Sequence, residues 1–205
     1  MRFRAPIALV LLAIAITLGV SLGHGRQTKP TVALAKSALL ADGSFEIPLG
    51  PKSPWYLLEQ AEMIAAADAP DGKRVIRFQN QAPGRASQAK QHIRLDGRTT
   101  PAIDVAVHVK LSDVGPGQSL AERPAVSIQF FDDDFTPLGG EVVGPWLGTL
   151  PWTHEQTQMM VPERCRLALV IVGLGGGTGR AEFDQLEIKP ADVNPSALPR
   201  KSGSK

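Results

Sequence analysis

The sequence is poor in cysteine and in net charge. Cys165 is the only cysteine among 205 residues, which excludes an intrachain disulfide. The formal net charge is only +2, and Arg2 and Arg4 at the amino terminus account for this excess. A chain without surplus positive charge is a poor partner for nucleic acid, so we expect no nucleic-acid binding. Stability must come from a hydrophobic core or from a bound metal ion.

Sequence motifs for catalysis are also missing. The chain has no Gly-x-Ser-x-Gly nucleophile elbow and no His-Glu-x-x-His zinc motif. The glycine-rich run over residues 173–179 has neither spacing of the nucleotide-binding loops, and the acidic run over residues 132–134 lacks the alternating ligands of a calcium loop. We therefore expect a protein that is not an enzyme. A glycoside hydrolase is the less favoured alternative, because its paired carboxylates meet only in space.

The first 23 residues have the pattern of an export signal. Arg2 and Arg4 precede an uncharged apolar run over Ala5–Leu22, and small residues close to Gly23 suit cleavage by a signal peptidase. This pattern predicts a signal peptide at residues 1–23 and an extracytoplasmic location, whether secreted, periplasmic or membrane-anchored. Because about 18 apolar residues nearly span a bilayer, an uncleaved amino-terminal membrane anchor is the alternative.

The remainder predicts one β-rich domain between two irregular segments. Residues 24–41 have no sustained hydrophobic period and predict a linker, and residues 191–205 are rich in Pro, Ser and Lys and predict a disordered tail. Between them, residues 42–190 contain short alternating runs, of which Ile103–Leu111 is the most regular. About eight to ten such runs predict an all-β antiparallel sandwich. A short helix over residues 57–67 is a local alternative.

One carboxylate in the last run is predicted to lie on an apolar face. The run "RAEFDQLEI" reads as a strand, and strand side chains alternate between two faces, which places Asp184 beside Leu186 and Ile188. A carboxylate there costs several kcal/mol unless it has a partner. Hydrogen bonds from backbone amides, or pairing with an arginine such as Arg77, would supply one.

The two ends of the domain resemble a known family. "DGSFE" at residues 42–46 resembles the opening Asn/Asp-Gly-x-Phe-Glu of carbohydrate-binding modules, and "GRAEFDQLEIKP" at residues 179–190 resembles their closing Phe-Asp-Asp-Val-x-Leu strand. The runs between them follow the family's order of core strands, although the second closing aspartate is Gln185 here. The resemblance covers about residues 42–190. It implies a galactose-binding-domain-like jelly roll, an antiparallel β-sandwich that binds a polysaccharide or another glycan.

The resemblance also implies a structural calcium ion. In these modules calcium commonly ties the first strand to the last, through the Glu of the Phe-Glu pair and the Asp of the Phe-Asp pair. These residues correspond to Glu46 and Asp184. Since calcium takes six to eight oxygen ligands, main-chain carbonyls near Asp42 or Ser44 would complete the shell.

The three tryptophans have different predicted roles. Trp55 and Trp152 match structural tryptophans of the family, and we expect both in the core. Trp146 lies in a stretch rich in Gly and Pro, and we expect a loop that displays its indole to a sugar. The favoured interpretation is an exported, non-catalytic carbohydrate-binding module. The alternative is a structural or protein-interaction domain held at the membrane by an uncleaved amino-terminal helix.

Overall fold

The computed structural model describes residues 38–119 and 122–193. The predicted signal peptide or anchor at residues 1–23, most of the linker at 24–41 and most of the tail at 191–205 lie outside these residues. Within the described ranges the regular structure consists of β-strands, and no segment forms a helix long and apolar enough to cross a membrane.

Ten strands make up the described domain. In chain order they are β1 (Tyr56–Glu59), β2 (Ala61–Ala65), β3 (Arg74–Asn80), β4 (Ser87–Arg94), β5 (Ala102–Gly115), β6 (Ala125–Phe131), β7 (Pro137–Val143), β8 (Gly148–Met160), β9 (Leu167–Gly175) and β10 (Thr178–Ala191). The first sheet has the order β1-β4-β9-β6-β7, and the second has the order β2-β3-β10-β5-β8. All recorded strand pairs are antiparallel, which confirms the predicted sandwich. Because β1 and β2 occupy the segment 57–67, the alternative helix is wrong.

The core lies between the two sheets and follows from strand alternation. On β5 the residues Ile103, Val105, Val107, Val109 and Leu111 are buried, as their alternation predicts. They belong to one hydrophobic cluster with inward residues of the first sheet. Burying each such side chain contributes roughly 1.5 to 3 kcal/mol, so the alternating strands supply the driving force for this architecture.

The segment before β1 closes one end of the core. Trp55 is 2% exposed, its ring centroid lies 5.3 Å from that of Phe45, and its Nε1–H donates to the carbonyl oxygen of Asp42 at 3.0 Å. The core position predicted for Trp55 is therefore confirmed. The same expectation for Trp152 is wrong, because that side chain is partly exposed on the outer face of the second sheet.

A β-bulge interrupts the pairing of β10 with β5. Asp184 lies opposite His108 and Glu187 lies opposite Ala106, so the two β10 residues between them face a single residue of β5. One of the two is Gln185, whose φ of 46° lies in the left-handed region. An extra residue of this kind shifts the alternation of the strand beyond it.

The bulge places Asp184 on the opposite face of the sheet from Leu186 and Ile188. Phe183 before the bulge and Leu186 after it both point into the core, and Ile188 follows Leu186 on that side. Asp184 lies between them on the outer face of the second sheet. The prediction that Asp184 shares the apolar face with Leu186 and Ile188 is therefore wrong, because the bulge interrupts the alternation on which that prediction depends.

The segment before β1 is also hydrogen-bonded to β10 beyond the bulge. The amide of Leu186 donates to the carbonyl of Gly43 at 2.8 Å, and the amide of Leu39 donates to the carbonyl of Ile188 at 2.8 Å. A Cβ atom on Gly43 would lie 1.8 Å from the carbonyl oxygen of Leu186. Only glycine permits this close approach of two backbones.

We predict that Gly43→Ala destabilises the domain. Two backbone segments would have to separate to accommodate the methyl group, which should lower the free energy of unfolding by roughly 2 to 3 kcal/mol. Chemical denaturation measures the effect. Ser44→Ala at the next position adds no atoms and should stay within about 0.5 kcal/mol of the wild type. Equal stability of the two variants would contradict the packing of this segment on β10.

Candidate functional site

Asp184 is fully buried although it lies on the outer face of the second sheet. Its Oδ2 accepts the amide of Asp71, in the loop between β2 and β3, at 2.8 Å, and its Oδ1 accepts the amide of Gln185 at 2.7 Å. Burial raises the pKa of Asp184 to about 6, and the carboxylates of Asp71 and Glu46 act in the same direction. Within the described residues no Lys or Arg forms an ion pair with this carboxylate.

Glu46 binds the same loop between β2 and β3. Its Oε1 accepts the amides of Lys73 and Arg74 at 2.6 and 2.8 Å, and the hydrogen bond from Lys73 is the main cause that lowers the pKa of Glu46. Gly72 has φ of +63°, and a Cβ atom there would lie 2.3 Å from Oε1 of Glu46. The two predicted metal ligands, Glu46 and Asp184, therefore meet at one loop. Both carboxylates accept hydrogen bonds from amides of this loop, which is the alternative to a metal that the sequence predicts for Asp184.

The other two predicted ligand positions lie in the turn before Glu46. The carboxylate of Asp42 accepts the amide of Glu46 at 2.8 Å. The carbonyl oxygen of Asp42 accepts the amide of Phe45 at 3.2 Å and Nε1–H of Trp55 at 3.0 Å, so both of its lone pairs are in use. Ser44 is half-buried in this turn. A metal site here would depend mainly on Glu46 and Asp184.

Calcium suits the chemistry of these two carboxylates. The donors are oxygens, and the buried carboxylate of Asp184 has acidic neighbours where a cation would be favourable. In the part of the chain that the structure describes, no three His, Cys, Asp or Glu side chains are grouped so that they could hold a metal. Main-chain carbonyls and water would have to supply the remaining ligands. Glu46 and Asp184 fit calcium in charge and donor type, and the ion itself stays a prediction.

Five outward side chains form one row across the second sheet. Glu62 on β2 lies opposite Arg77 on β3, Arg77 lies opposite Glu182 on β10, and Glu182 lies opposite Lys110 on β5. Trp152 on β8 completes the row, with its ring centroid 5.5 Å from Nζ of Lys110. At about 4.8 Å per strand the row is roughly 19 Å long. We call these five residues the cross-strand row.

Ion pairs fix three side chains of the cross-strand row, those of Arg77, Glu182 and Lys110. Arg77 donates from Nε to Oε1 of Glu182 at 2.8 Å, so Arg77 pairs with this residue and the suggested pair with Asp184 is wrong. Lys110 lies 3.5 Å from Oε2 of Glu182 and 2.8 Å from Oδ2 of Asp68. The bond to Asp68 is the main cause that raises the pKa of Lys110 and lowers that of Asp68. The side chains are thus ordered before any ligand binds.

Two adjoining pockets lie beside the cross-strand row. One of about 680 Å³ is lined in part by Glu62, Arg77 and Gln79. The other, of about 420 Å³, is lined in part by Arg180 and Ser112 and shares Gln79 with the first. Most of the lining side chains are polar, which favours a ligand rich in hydroxyl or charged groups.

Trp146 and Trp152 are both partly exposed but have different neighbours. Trp146 lies in the loop between β7 and β8, as expected, but it packs against the core with its ring centroid 6.0 Å from that of the buried Phe183. Trp152 is partly exposed, and its Nε1–H donates to Oδ2 of Asp68 at 3.2 Å. Of these two tryptophans, Trp152 therefore has the better setting for a polar ligand.

Comparison with known proteins adds the class of fold. No protein-family profile matches the sequence, and no curated protein matches it. Many solved structures are similar in fold, and three of them serve as examples. The enzymatically active domain of tailspike protein 4 of bacteriophage CBA120 has a TM-score of 0.56 at 14% identity, over 75% of this chain and 21% of that one. A family 16 carbohydrate-binding module has a TM-score of 0.52 at 12% identity, over 73% and 98%.

The third structure is the N-terminal endo-1,4-β-D-xylanase 10B of Clostridium thermocellum, comprising CBM22-1 and GH10 modules, complexed with xylohexaose. It has a TM-score of 0.50 at 19% identity, over 76% of this chain and 29% of that one. The chain thus spans about a fifth of the tailspike chain and under a third of the xylanase chain, but nearly all of the family 16 module.

The described domain has the galactose-binding-domain-like jelly-roll fold of carbohydrate-binding modules, and the predicted fold class is confirmed.

We predict that the metal-free protein carries a stability penalty from Asp184 that develops as the pH rises. The pKa of this carboxyl is raised from 3.8 to about 6 by folding, so its contribution to stability is present below pH 3.8 and is lost as the pH rises through about 6. A pKa change of about two corresponds to roughly 3 kcal/mol in the free energy of unfolding.

Asp184→Asn removes this titration and leaves the other acidic groups in place. Measured in chelator, the melting temperature of the variant minus that of the wild type should rise by several degrees, on the order of 5 °C, between pH 4 and 7. A difference that stays constant over this range would show that Asp184 ionises without penalty.

Proposed function

We propose that this chain is an exported, non-catalytic module that binds a carbohydrate on the outer face of its second sheet. The observation that carries this proposal is the cross-strand row, in which ordered polar side chains lead to a partly exposed indole. The jelly-roll fold shared with carbohydrate-binding modules supports the same ligand class.

The chemistry of the row matches that of a sugar. A sugar ring offers hydroxyl groups, which need fixed donors and acceptors, and an apolar C–H face, which can lie on an indole. Arg77 and Lys110 supply donors, Asp68 supplies acceptors, and Trp152 supplies the ring. Because ion pairs already hold these groups, binding costs little side-chain entropy.

The non-catalytic part of the proposal is supported by the setting of the carboxylates. Glu182 is 4% exposed and pairs with Arg77 and Lys110, which suits an electrostatic anchor better than a general acid. The export part is supported by Arg2 and Arg4 before the apolar run over Ala5–Leu22.

We further propose that calcium binds at Glu46 and Asp184. These carboxylates come from the segment before β1 and from β10, and both contact the loop between β2 and β3. A divalent cation there would neutralise carboxylates that otherwise repel each other. Its role would be structural, since it would tie three separate parts of the chain together.

The first test of the carbohydrate proposal compares two tryptophans by affinity electrophoresis in gels containing polysaccharides. Trp152→Ala should weaken retention by about 1 to 3 kcal/mol, because it removes the stacking surface, and should change the melting temperature little. Trp146→Ala should instead lower the free energy of unfolding by roughly 2 to 3 kcal/mol, because its ring packs on the core.

Two results would count against this assignment. If the wild type migrates unretained through every polysaccharide gel, the carbohydrate proposal fails. If Trp146→Ala is as stable as the wild type and loses binding while Trp152→Ala binds normally, the ligand site lies at the loop predicted from the sequence and not at the cross-strand row.

The calcium proposal predicts a calcium-dependent melting temperature. Calcium at 100 times its dissociation constant should stabilise the folded state by about 2.7 kcal/mol, and chelation should reverse the gain. Asp184→Asn should abolish the response, whereas Glu187→Gln, an exposed change on the same strand, should preserve it. Calorimetric titration that detects no calcium binding to the wild type would refute the site.

A further inference from the structure

Three cations surround one buried carboxylate at the centre of the second sheet. Glu182 lies 2.7 Å from Arg77, 3.5 Å from Lys110 and 4.0 Å from Arg180. The side chain of Glu182 is only 6% exposed, whereas those of the three cations are 29%, 30% and 43% exposed. The negative charge therefore lies beneath the sheet surface and the positive charges lie at it.

Two of the three cations, Arg77 and Arg180, share one carboxylate as their ion-pair partner. Lys110 has a second partner, because Asp68 binds its ammonium group at 2.8 Å. Arg77 and Arg180 share Glu182 as their ion-pair partner among the described residues. Glu62 lies opposite Arg77 in the register, and Asp113 lines the smaller pocket together with Arg180. The described residues contain no ion pair between either carboxylate and its neighbouring arginine.

The two arginines face neighbouring pockets with a glutamine between them. Gln79 lies opposite Arg180 and follows Arg77 by two residues on β3, so the three side chains share the outer face. Gln79 lines both pockets, Arg77 lines the larger and Arg180 the smaller. We call these three residues the Arg–Gln–Arg cluster.

Both guanidinium groups keep donors for a ligand. Arg77 uses Nε and Nη2 for Glu182, and Arg180 uses Nη2 for Oγ of Ser112 at 3.0 Å. Within the described residues, Nη1 of each arginine makes no hydrogen bond. A planar guanidinium whose other side is already fixed is well suited to the oxygens of a carboxylate or sulfate group.

We propose that the glycan bound by this domain is acidic, and that the Arg–Gln–Arg cluster binds its carboxylate or sulfate groups. This inference rests on the proposed carbohydrate-binding function and adds the chemical class of the ligand. An anionic group above the sheet would give Arg77 and Arg180 a second anionic partner beside Glu182, which the two arginines share among the described residues. Gln79 donates to the same group or to a neighbouring hydroxyl.

The test uses polysaccharides that differ in charge. The full chain is run through gels containing polygalacturonate, a sulfated galactan, neutral galactan or neutral xylan, and affinities are measured at low and at moderate salt. At least one acidic polymer should bind about tenfold more tightly than both neutral ones, and added salt should weaken that binding. The uronate and sulfate gels identify which acidic group is recognised.

Arg180→Gln tests the cluster itself. It should reduce the affinity for the acidic polymer about tenfold and change the weak binding to neutral polymers, which carry no anionic group, much less. Arg94→Gln is the matched control, since it removes the same charge from an exposed position on β4 in the other sheet. Unchanged melting temperatures for both variants would show that each is folded.

The outcomes separate this inference from the function on which it rests. Equal binding of neutral and acidic polymers, or an Arg180→Gln variant that binds like the wild type, overturns the acidic-ligand inference but keeps carbohydrate binding. An equal loss in Arg94→Gln also overturns it, because the attraction would then be non-specific. Retention on none of the polymers would remove the proposed function as well.

Discussion

The carboxylate of Asp184 is buried and forms no ion pair with a cation among the described residues, and the fold around β10 is arranged to tolerate it. A buried charge is costly unless donors replace the water it has lost. Here two amides do so, and one of them belongs to the bulge at Gln185 that turns Asp184 away from the core. The bulge lets one strand contribute Phe183 and Leu186 to the core while the residue between them holds the loop between β2 and β3.

Glu182 and Asp184 are close on the same face of β10, but their charges are balanced differently. Glu182 is surrounded by cations, whereas Asp184 has amides and acidic neighbours. Arginines around a buried carboxylate produce a rigid surface that can recognise a ligand. A carboxylate among amides and other carboxylates has a raised pKa and favours either a proton or a metal ion. The same strand thereby carries residues of both the proposed recognition surface and the proposed calcium site.

The architecture could be predicted because its cause is local. Alternation on β5 depends on neighbouring residues. The resemblance of residues 42–46 and 179–190 to a known family predicted that Glu46 and Asp184 lie close together, and in the structure both contact the loop between β2 and β3. The side of the sheet on which Asp184 lies could not be predicted, because no residue pattern around Gln185 indicates a bulge.

The exposure of Trp152 and the cross-strand row could not be predicted from the sequence. Polar residues around Glu155 occupy both faces of β8, so alternation does not indicate that Trp152 is partly exposed. The cross-strand row was not visible either, because Arg77 and Glu182 are 105 positions apart. The two outer faces of the sandwich also differ. On the first sheet the outward Leu169 lies between the polar residues His92 and Gln129, and Val142 at the edge is 51% exposed. Among the described residues no ion pair joins two strands of that sheet, whereas ion pairs order Arg77, Glu182 and Lys110 on the second sheet. Side chains that are already ordered lose less entropy when a ligand binds, which favours the second sheet for a polar glycan.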